Sequence, residues 1–233
     1  MTAAQLVLIP GLLCTSELFL PQIDRLGPRL HIAVSGHNRE HDSMAAIASA
    51  ILTVAAPRFA LAGLSMGGYI ALEIMRQAPQ RVERLALLDT SARPDTPEQT
   101  ANRQRLVALA AKKGIEVPAR EMFAKLVAPA RVDDAALADT FLDMARETGV
   151  DAFARQQQAI AARPDSRPTL AAIRCPTLVL VGEQDQLTPP ALAEEIANGI
   201  AGSRLAIIPG AGHLSTLEEP DAVGAALEAW LDL

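Results

Sequence analysis

The chain has 233 residues, of which half are hydrophobic and 3% aromatic, and it carries a formal net charge of −6. This length fits one large α/β domain or two small ones, and the acidic balance argues against nucleic acid or anionic membranes as partners. Two cysteines are too few for a disulfide framework, and we see no Cys/His cluster and no basic N-terminal leader, so we expect a cytoplasmic protein without a metal site.

Six short apolar runs predict β-strands. They are almost continuously apolar, which is typical of strands buried on both faces of a parallel sheet. Helical stretches separate them, so the pattern favours an α/β fold with helices on both faces of a mostly parallel sheet. In chain order, the predicted strands are residues 5–9, 31–35, 58–64, 84–88, 177–181 and 204–208. The helices predicted between and after them are residues 17–26, 43–55, 66–77, 190–197 and 221–231.

The alternation stops between residues 91 and 168, where no strand is visible. We interpret this segment as a helical insertion into one core that is formed by residues 1–90 and 169–233. It holds nine arginines and three lysines against seven aspartates and four glutamates, so its net charge is +1 while the remainder of the chain has −7. The helices predicted within it are residues 97–113, 118–126, 133–147 and 151–162.

A serine between glycines marks the end of the third predicted strand. Residues 63–67, GLSMG, satisfy the pattern G-x-S-x-G, with a strand before them and a helix after them, as a nucleophile elbow requires. The flanking glycines allow the sharp turn, and Ser65 then stands at a helix N-terminus, where negative charge is favoured. A serine that merely begins a helix in a glycine-rich turn is the alternative, and the motif alone does not exclude it.

A histidine and an aspartate follow the last two predicted strands. Asp185 comes after residues 177–181, and His213 comes after residues 204–208. The carboxyl ends of parallel strands meet at one edge of the sheet, so both side chains are expected near Ser65. Serine needs a base to take its proton, and the base needs an acid to orient it. The chain order Ser, Asp, His is the order of the nucleophile-elbow enzymes.

With these residues in place, the chain resembles the α/β-hydrolase-fold serine hydrolases. The resemblance extends from LVLIPGLLCTSELF through LAGLSMGGYIALEIMRQAPQRVERLALLDT and PTLVLVGEQDQLTPP to IPGAGHLSTLEEPDAV. It implies a sheet of about six strands that lacks the first two strands of the full fold, and it makes residues 91–168 a helical cap. It further implies that Ser65, Asp185 and His213 are the catalytic residues.

The resemblance also implies an oxyanion hole built from backbone N–H groups. Met66 follows the nucleophile and supplies one donor, and Leu12, in the loop after the first strand, supplies the other. Many relatives have His-Gly in this loop where the chain has Pro10-Gly11. The departure affects what supports the loop, whereas the donor itself is backbone.

Several residues near these motifs allow other interpretations. Asp89, after the fourth predicted strand, could supply the acid in place of Asp185, because folds of this type vary the strand that carries it. His37 and His41 are most simply loop residues, although either could line the site. Cys14 is best interpreted as a small packing residue rather than a catalytic thiol.

The expected function is hydrolysis of a carboxylic ester, or of a related lactone or thioester, in a small-molecule substrate. No metal or organic cofactor is called for. Acyl transfer or C–C bond hydrolysis with the same triad is the alternative, and a receptor with little turnover is a third hypothesis. Phe123, Phe141 and Phe153, among many aliphatic residues of the cap, suggest a small to medium acyl group.

Two further expectations concern charge and assembly. The positive charge of residues 91–168 would suit a carboxylate-bearing ester or lactone, although arginines on helices are more often solvated. The sequence is also compatible with association into a homodimer.

Overall fold

Six parallel strands form a single sheet in the computed structural model, which describes residues 5–232. The strand order is β2-β1-β3-β4-β5-β6, and every neighbouring pair is parallel. This confirms the predicted fold class. The strands are β1 Gln5–Ile9, β2 His31–Val34, β3 Phe59–Leu64, β4 Val82–Leu88, β5 Thr177–Gly182 and β6 Arg204–Ile208.

Burial differs between the middle and the edges of the sheet. Every residue of β3 and β5 is buried, as expected for strands that are covered on both faces. The same expectation is wrong for β2 and β6, which are the two edge strands. On β6, Leu205 and Ile207 are 39% and 43% exposed. An apolar run of strand length does not reveal whether the strand has neighbours on both sides.

Helices cover both faces of the sheet, and alternate residues of each strand reach alternate faces. On β1, Leu6 and Leu8 belong to one buried cluster, and Val7 and Ile9 belong to the other. Within residues 5–232, no helix combines the length and the apolar character that crossing a membrane demands. The helices of the core are α1 Leu20–Leu26, α2 Met44–Val54, α3 Met66–Gln77, α7 Arg167–Leu170, α8 Pro190–Gly199, α9 Ser215–Glu218 and α10 Pro220–Leu231.

Three long helices lie between β4 and β5, in the segment that the sequence marks as an insertion. They are α4 Pro97–Lys113, α5 Glu116–Leu126 and α6 Ala135–Ala161. The two helices predicted at residues 133–147 and 151–162 correspond to the two halves of α6, between which the helix is broken at Gly149, where φ is 75° and ψ is 171°. We call residues 91–168 the cap segment from here on.

The three phenylalanines of the cap segment pack inside it. Phe141 and Phe153 are completely buried, Phe123 is 7% exposed, and the rings of Phe123 and Phe141 lie 6.2 Å apart. They join the buried cluster on one side of the sheet. These residues therefore attach the cap segment to the core instead of presenting aromatic surface to a ligand.

Candidate active site

Ser65 occupies a sharp turn between β3 and α3. Its φ is 55°, in the left-handed region, and its N–H donates to the carbonyl of Leu88 on β4 at 2.9 Å. A Cβ at Gly63 would lie 2.2 Å from the carbonyl oxygen of Gly67, and a Cβ at Gly67 would lie 2.0 Å from that of Ile9. Only glycine fits at these two positions, so the strained backbone at Ser65 depends on both.

The structure joins Ser65, His213 and Asp185 in one chain of hydrogen bonds. Nε2 of His213 lies 2.8 Å from Oγ of Ser65, and Nδ1 of His213 lies 2.7 Å from Oδ2 of Asp185. His213 and Asp185 are each 3% exposed. The three side chains reach one another from the ends of β3, β5 and β6, which is the edge of the sheet where the sequence places them.

Asp185 is held as a carboxylate by several donors. The N–H groups of Leu187 and Thr188 donate to its Oδ1 at 2.8 and 2.9 Å, and the Thr188 hydroxyl donates to its Oδ2 at 2.7 Å. Burial by itself would raise the pKa of Asp185. The charge and hydrogen bond of His213, with the Thr188 donors, outweigh burial and lower this pKa to about 2. Asp185 is therefore ionised near neutral pH.

His213 is a base whose protonated form is stabilised. Burial disfavours the imidazolium, but the charge and hydrogen bond of Asp185 act in the opposite direction. These contributions of Asp185 outweigh burial and raise the pKa of His213 above its usual value of 6.5. This environment suits a group that must accept a proton from Ser65 and later release it.

Asp89 lies beside the three residues without joining them. Its Oδ1 accepts from the N–H of Gly182 at 2.8 Å, and its Oδ2 accepts from the hydroxyl of Ser215 at 2.5 Å. Within residues 5–232, none of its hydrogen bonds reaches His213. Burial, and then the charge of Asp185, raise the pKa of Asp89 to about 8. The geometry therefore favours Asp185 over Asp89 as the partner of the histidine.

Two backbone N–H groups in the turns around Ser65 have no protein acceptor. Those of Leu12 and Met66 donate to no protein group in the part of the chain that the structure describes. The next residue, Leu13, has a φ of 61°, and its N–H donates to Oε1 of Gln156 on α6 at 3.1 Å. The sequence analysis missed Gln156, because its role depends on a contact between residues 143 positions apart.

A cavity of about 360 Å³ lies beside Ser65, and Leu12 contributes to its wall. Ser65 and His213 line it, with walls from the core and the cap segment. Cys14 lies in the wall, and burial raises the pKa of its thiol to about 12, as expected for a packing residue. The cavity wall does not include His37, His41 or any of the three phenylalanines. Most of its apolar lining is aliphatic, including Leu12, Leu64, Leu106, Leu126, Ile160 and Leu214.

One group of possible metal ligands lies outside the cavity wall. His37, Glu40 and His41 place three ligand atoms within 4.8 Å of one another, and Nδ1 of His37 lies 2.7 Å from Oε2 of Glu40. The sequence analysis expected no metal site and did not note this H-x-x-E-H spacing. The group contacts none of the residues that form the serine, histidine and aspartate chain, so it has no part in the chemistry derived below.

Comparisons with a protein family and with a named protein each match most of the chain. The sequence pattern of the alpha/beta hydrolase family matches residues 6–226. A Mycobacterium tuberculosis (strain H37Rv) protein whose name suggests a non-heme bromoperoxidase, BpoC, is 30% identical over 171 residues. That match covers 71% of the chain and 64% of the mycobacterial protein, so the chain spans less than two thirds of this relative's length.

Two solved structures share the fold over nearly the whole chain. A thermophilic esterase from Thermogutta terrifontis, with malate bound, has a TM-score of 0.89 and 30% identity, and the match covers 99% of this chain and 90% of the esterase. The enol-lactonase from Burkholderia xenovorans LB400 has a TM-score of 0.88 and 25% identity, with coverages of 100% and 93%. Both structural neighbours are hydrolases.

Proposed function

Because the chain belongs to the alpha/beta hydrolase family, we propose that it is a serine hydrolase that cleaves carboxylic esters through an acyl-enzyme on Ser65. One observation carries the proposal. Ser65, His213 and Asp185 form a continuous hydrogen-bonded chain, with distances of 2.8 and 2.7 Å, at the wall of a cavity. A buried acid, a base and a hydroxyl in this order are the arrangement that activates a serine.

The first half of the reaction forms the acyl-enzyme. Oγ of Ser65 attacks the carbonyl carbon of the ester while its proton passes to Nε2 of His213. The carbonyl oxygen becomes an oxyanion, which the N–H groups of Leu12 and Met66 stabilise. Asp185 holds the imidazole in the tautomer with hydrogen on Nδ1, and it stabilises the imidazolium without taking the proton. The oxyanion then reforms the carbonyl, and the alcohol leaves with the proton from His213.

The second half repeats these steps with water. His213 takes a proton from a water molecule that attacks the acyl carbon, and the same two N–H groups stabilise the second oxyanion. Collapse breaks the bond to Oγ, and His213 returns the proton to Ser65. The products are the carboxylic acid and the free enzyme, and every proton is accounted for by one histidine.

The size of the cavity and the similarity to solved hydrolase structures indicate which substrates to test. A volume of about 360 Å³, whose apolar lining is mostly aliphatic, fits a small to medium acyl group. A lactone is a cyclic ester and a thioester reacts by the same steps, so both belong with this proposal. The likeness to the Burkholderia enol-lactonase favours testing a lactone alongside open-chain esters.

A fluorophosphonate probe tests the nucleophile directly. We expect the parent protein to be labelled and Ser65→Ala to be unlabelled. Ser91→Ala is the matched control, because Ser91 also lines the cavity but its hydroxyl accepts a hydrogen bond from the backbone of Arg93 instead of contacting His213. Labelling of Ser65→Ala at the parent rate would overturn the assignment.

Turnover of p-nitrophenyl esters, a lactone and an acyl-thioester then defines the bond that is cleaved. We expect hydrolysis of at least one class by the parent and by Ser91→Ala, and none by Ser65→Ala. Hydrolysis should persist in EDTA, because no step of the reaction above uses a metal ion. Loss of activity in EDTA that zinc restores would contradict this mechanism.

A further inference from the structure

Besides His213, the cavity that contains Ser65 is lined by five basic side chains and one acidic one. Two of the basic residues have carboxylate partners of their own at the surface. Arg93 makes two hydrogen bonds to Glu195, and Arg105 makes two to Glu121. The five are Arg93, Arg103, Arg105, Lys125 and Arg163, and the acidic side chain is Glu121.

Arg103 and Arg163 differ from these surface pairs because they share one buried carboxylate. Nε and Nη2 of Arg103 donate to the two oxygens of Asp95 at 2.6 and 3.2 Å, and Nη1 of Arg163 donates to Oδ1 of the same group. The side chains of Arg103, Arg163 and Asp95 are 19%, 6% and 1% exposed. Two fixed positive charges against one negative charge leave an excess of +1 that water reaches poorly.

Such an excess has a clear electrostatic consequence. A charge that is withdrawn from water is costly unless another charge balances it, and interactions are stronger where water is excluded. Solvation does not account for these two arginines as it does for Arg93 and Arg105, whose side chains are about half exposed. A second negative charge within the cavity would complete the balance.

The surroundings also hold the two guanidinium groups in place before any ligand arrives. Nη1 of Arg103 donates to Oε1 of Gln157 at 2.8 Å, while Nε2 of Gln157 is buried with no acceptor in residues 5–232. The guanidinium of Arg163 lies 4.2 Å from the centroid of the Tyr69 ring, and its Nε donates to the carbonyl of Arg93 at 3.0 Å. A guanidinium fixed in this way loses little freedom when it binds an anion.

We propose that Arg103 and Arg163 form a carboxylate subsite, so that the preferred substrates are esters or lactones that carry a free carboxylate beside the bond that is cleaved. The inference rests on the proposed function, because it names the substrate class of the same cavity. Guanidinium groups bind carboxylates through paired, charge-assisted hydrogen bonds, which orient the ligand as well as holding it. Arg103, Arg163 and Ser65 line one cavity, so a carboxylate at the arginines and a carbonyl at Ser65 can belong to the same substrate.

Two substrates of similar length separate this subsite from a purely structural ion cluster. Mono-p-nitrophenyl succinate carries the carboxylate, and p-nitrophenyl pentanoate replaces it with an alkyl end. For the parent protein, we expect kcat/KM to be about tenfold or more higher for the succinate ester. In Arg103→Gln, this ratio should fall by about tenfold or more, the effect of losing a hydrogen bond between charged groups. A structural role alone would lower both rates and leave their ratio unchanged.

Arg105→Gln is the matched control. Arg105 lines the same cavity, but Glu121 already neutralises it, so this substitution should change the ratio by less than about twofold. Arg103→Lys keeps the charge without the paired donors and should retain part of the preference. It also replaces Arg103→Gln if loss of the charge prevents folding, because a lower ratio in the lysine variant still reports the subsite.

The outcomes distinguish failure of the subsite from failure of the proposed function. Ser65-dependent hydrolysis with a ratio near one in the parent overturns the subsite and leaves the function standing. If the parent hydrolyses neither ester and Ser65 is unlabelled, the proposed function fails. Calorimetry with succinate on Ser65→Ala then tests the subsite without turnover. Binding that Arg103→Gln abolishes in that background supports the subsite, and absence of binding overturns it.

Discussion

Replacing each of two neighbouring aspartates by asparagine tests which one works with His213. In Asp185→Asn, the N–H groups of Leu187 and Thr188 fix the amide oxygen in the place of Oδ1. The amide NH₂ then replaces Oδ2, 2.7 Å from Nδ1 of His213. Because NH₂ can only donate, Nδ1 must accept, and the ring hydrogen moves to Nε2. A protonated Nε2 faces Oγ of Ser65 and cannot take its proton.

The cost of this substitution follows from two losses. In the productive tautomer, the Nδ1–H of His213 would face the amide NH₂, and two donors in contact raise the free energy by about 1–3 kcal/mol. The imidazolium would also lose an opposite charge at about 4 Å, worth about 4 kcal/mol at an effective dielectric constant of about 20. Together these give about 5–7 kcal/mol, which lowers kcat by about 10⁴ to 10⁵.

Asp89→Asn should be nearly neutral for activity. Its amide oxygen can still accept from the N–H of Gly182, and its NH₂ can donate to the hydroxyl oxygen of Ser215. Burial raises the pKa of Asp89 to about 8 and so favours its neutral form, which the asparagine resembles in charge. We expect kcat to change by less than about tenfold, since no hydrogen bond to His213 is lost.

The assay is hydrolysis of a p-nitrophenyl ester by both variants at pH 7, with the melting temperature of each measured alongside. A loss in Asp89→Asn as large as that in Asp185→Asn would refute the assignment of the acid. More than about a tenth of the parent kcat in Asp185→Asn would refute the tautomer argument, whose smallest estimate is about 10⁴.

Three further predictions concern pH and the loop that presents Leu12. Because only neutral His213 accepts a proton and its pKa is raised above 6.5, the acid limb of kcat/KM should have its midpoint above pH 6.5; a flat profile from pH 5 to 9 would contradict this. Burial favours the neutral form of Asp89 in the fold, so its stabilising contribution is complete below its unfolded pKa and declines as the pH rises toward 8, by up to about 1.4 kcal/mol per unit. Urea unfolding should therefore show Asp89→Asn gaining stability relative to the parent between pH 5 and 8, and parallel curves would refute the buried neutral carboxyl. Gln156→Met leaves the Leu13 N–H without its acceptor and should lower kcat about tenfold or more with little change in KM, whereas the same substitution at the exposed Gln158 should lower neither.

The strands, and the site residues that directly follow them, were the features that the sequence predicted best. All six strands were placed within two residues, because each is a short apolar run that is bounded by polar or turn residues. Ser65, Asp185 and His213 follow β3, β5 and β6 directly, so the ends of parallel strands were enough to bring them together. The edge position of β6 could not be predicted, because nothing within residues 204–208 indicates that β5 is its only neighbour among the strands of residues 5–232.

The net charge of residues 91–168 does not predict which of their arginines are available to a ligand. A net charge of +1 over residues 91–168 suggested an anionic ligand but named no residue. In the fold, Arg93 and Arg105 pair with surface carboxylates, whereas Arg103 and Arg163, with side chains 19% and 6% exposed, share one buried carboxylate. The distinction depends on which side chains the folded chain removes from water, and a charge count treats all of them alike.

Contacts between distant segments show that the cap segment supports the site as well as lining the cavity. The N–H groups of His213 and Leu214 both donate to the carbonyl of Leu126 at the end of α5, at 2.9 and 3.0 Å. The buried carboxylate of Glu218 accepts from the N–H groups of Ala128, Gly212 and Leu214 at 2.7, 3.0 and 3.1 Å. The loop that carries His213 is thus bound directly to the backbone of the cap segment.

Both loops that flank Ser65, the one that carries His213 and the one that presents Leu12, depend on contacts with the cap segment. A Cβ at Gly212 would lie 2.4 Å from the backbone nitrogen of Ala128, so the His213 loop and the cap segment approach as closely as glycine allows. Gln156 on α6 holds the Leu13 N–H in the loop that presents Leu12. Both the base and one proposed oxyanion donor are therefore positioned by residues of the cap segment. Shortening this segment to widen the cavity would remove supports of the proposed reaction along with part of the cavity wall.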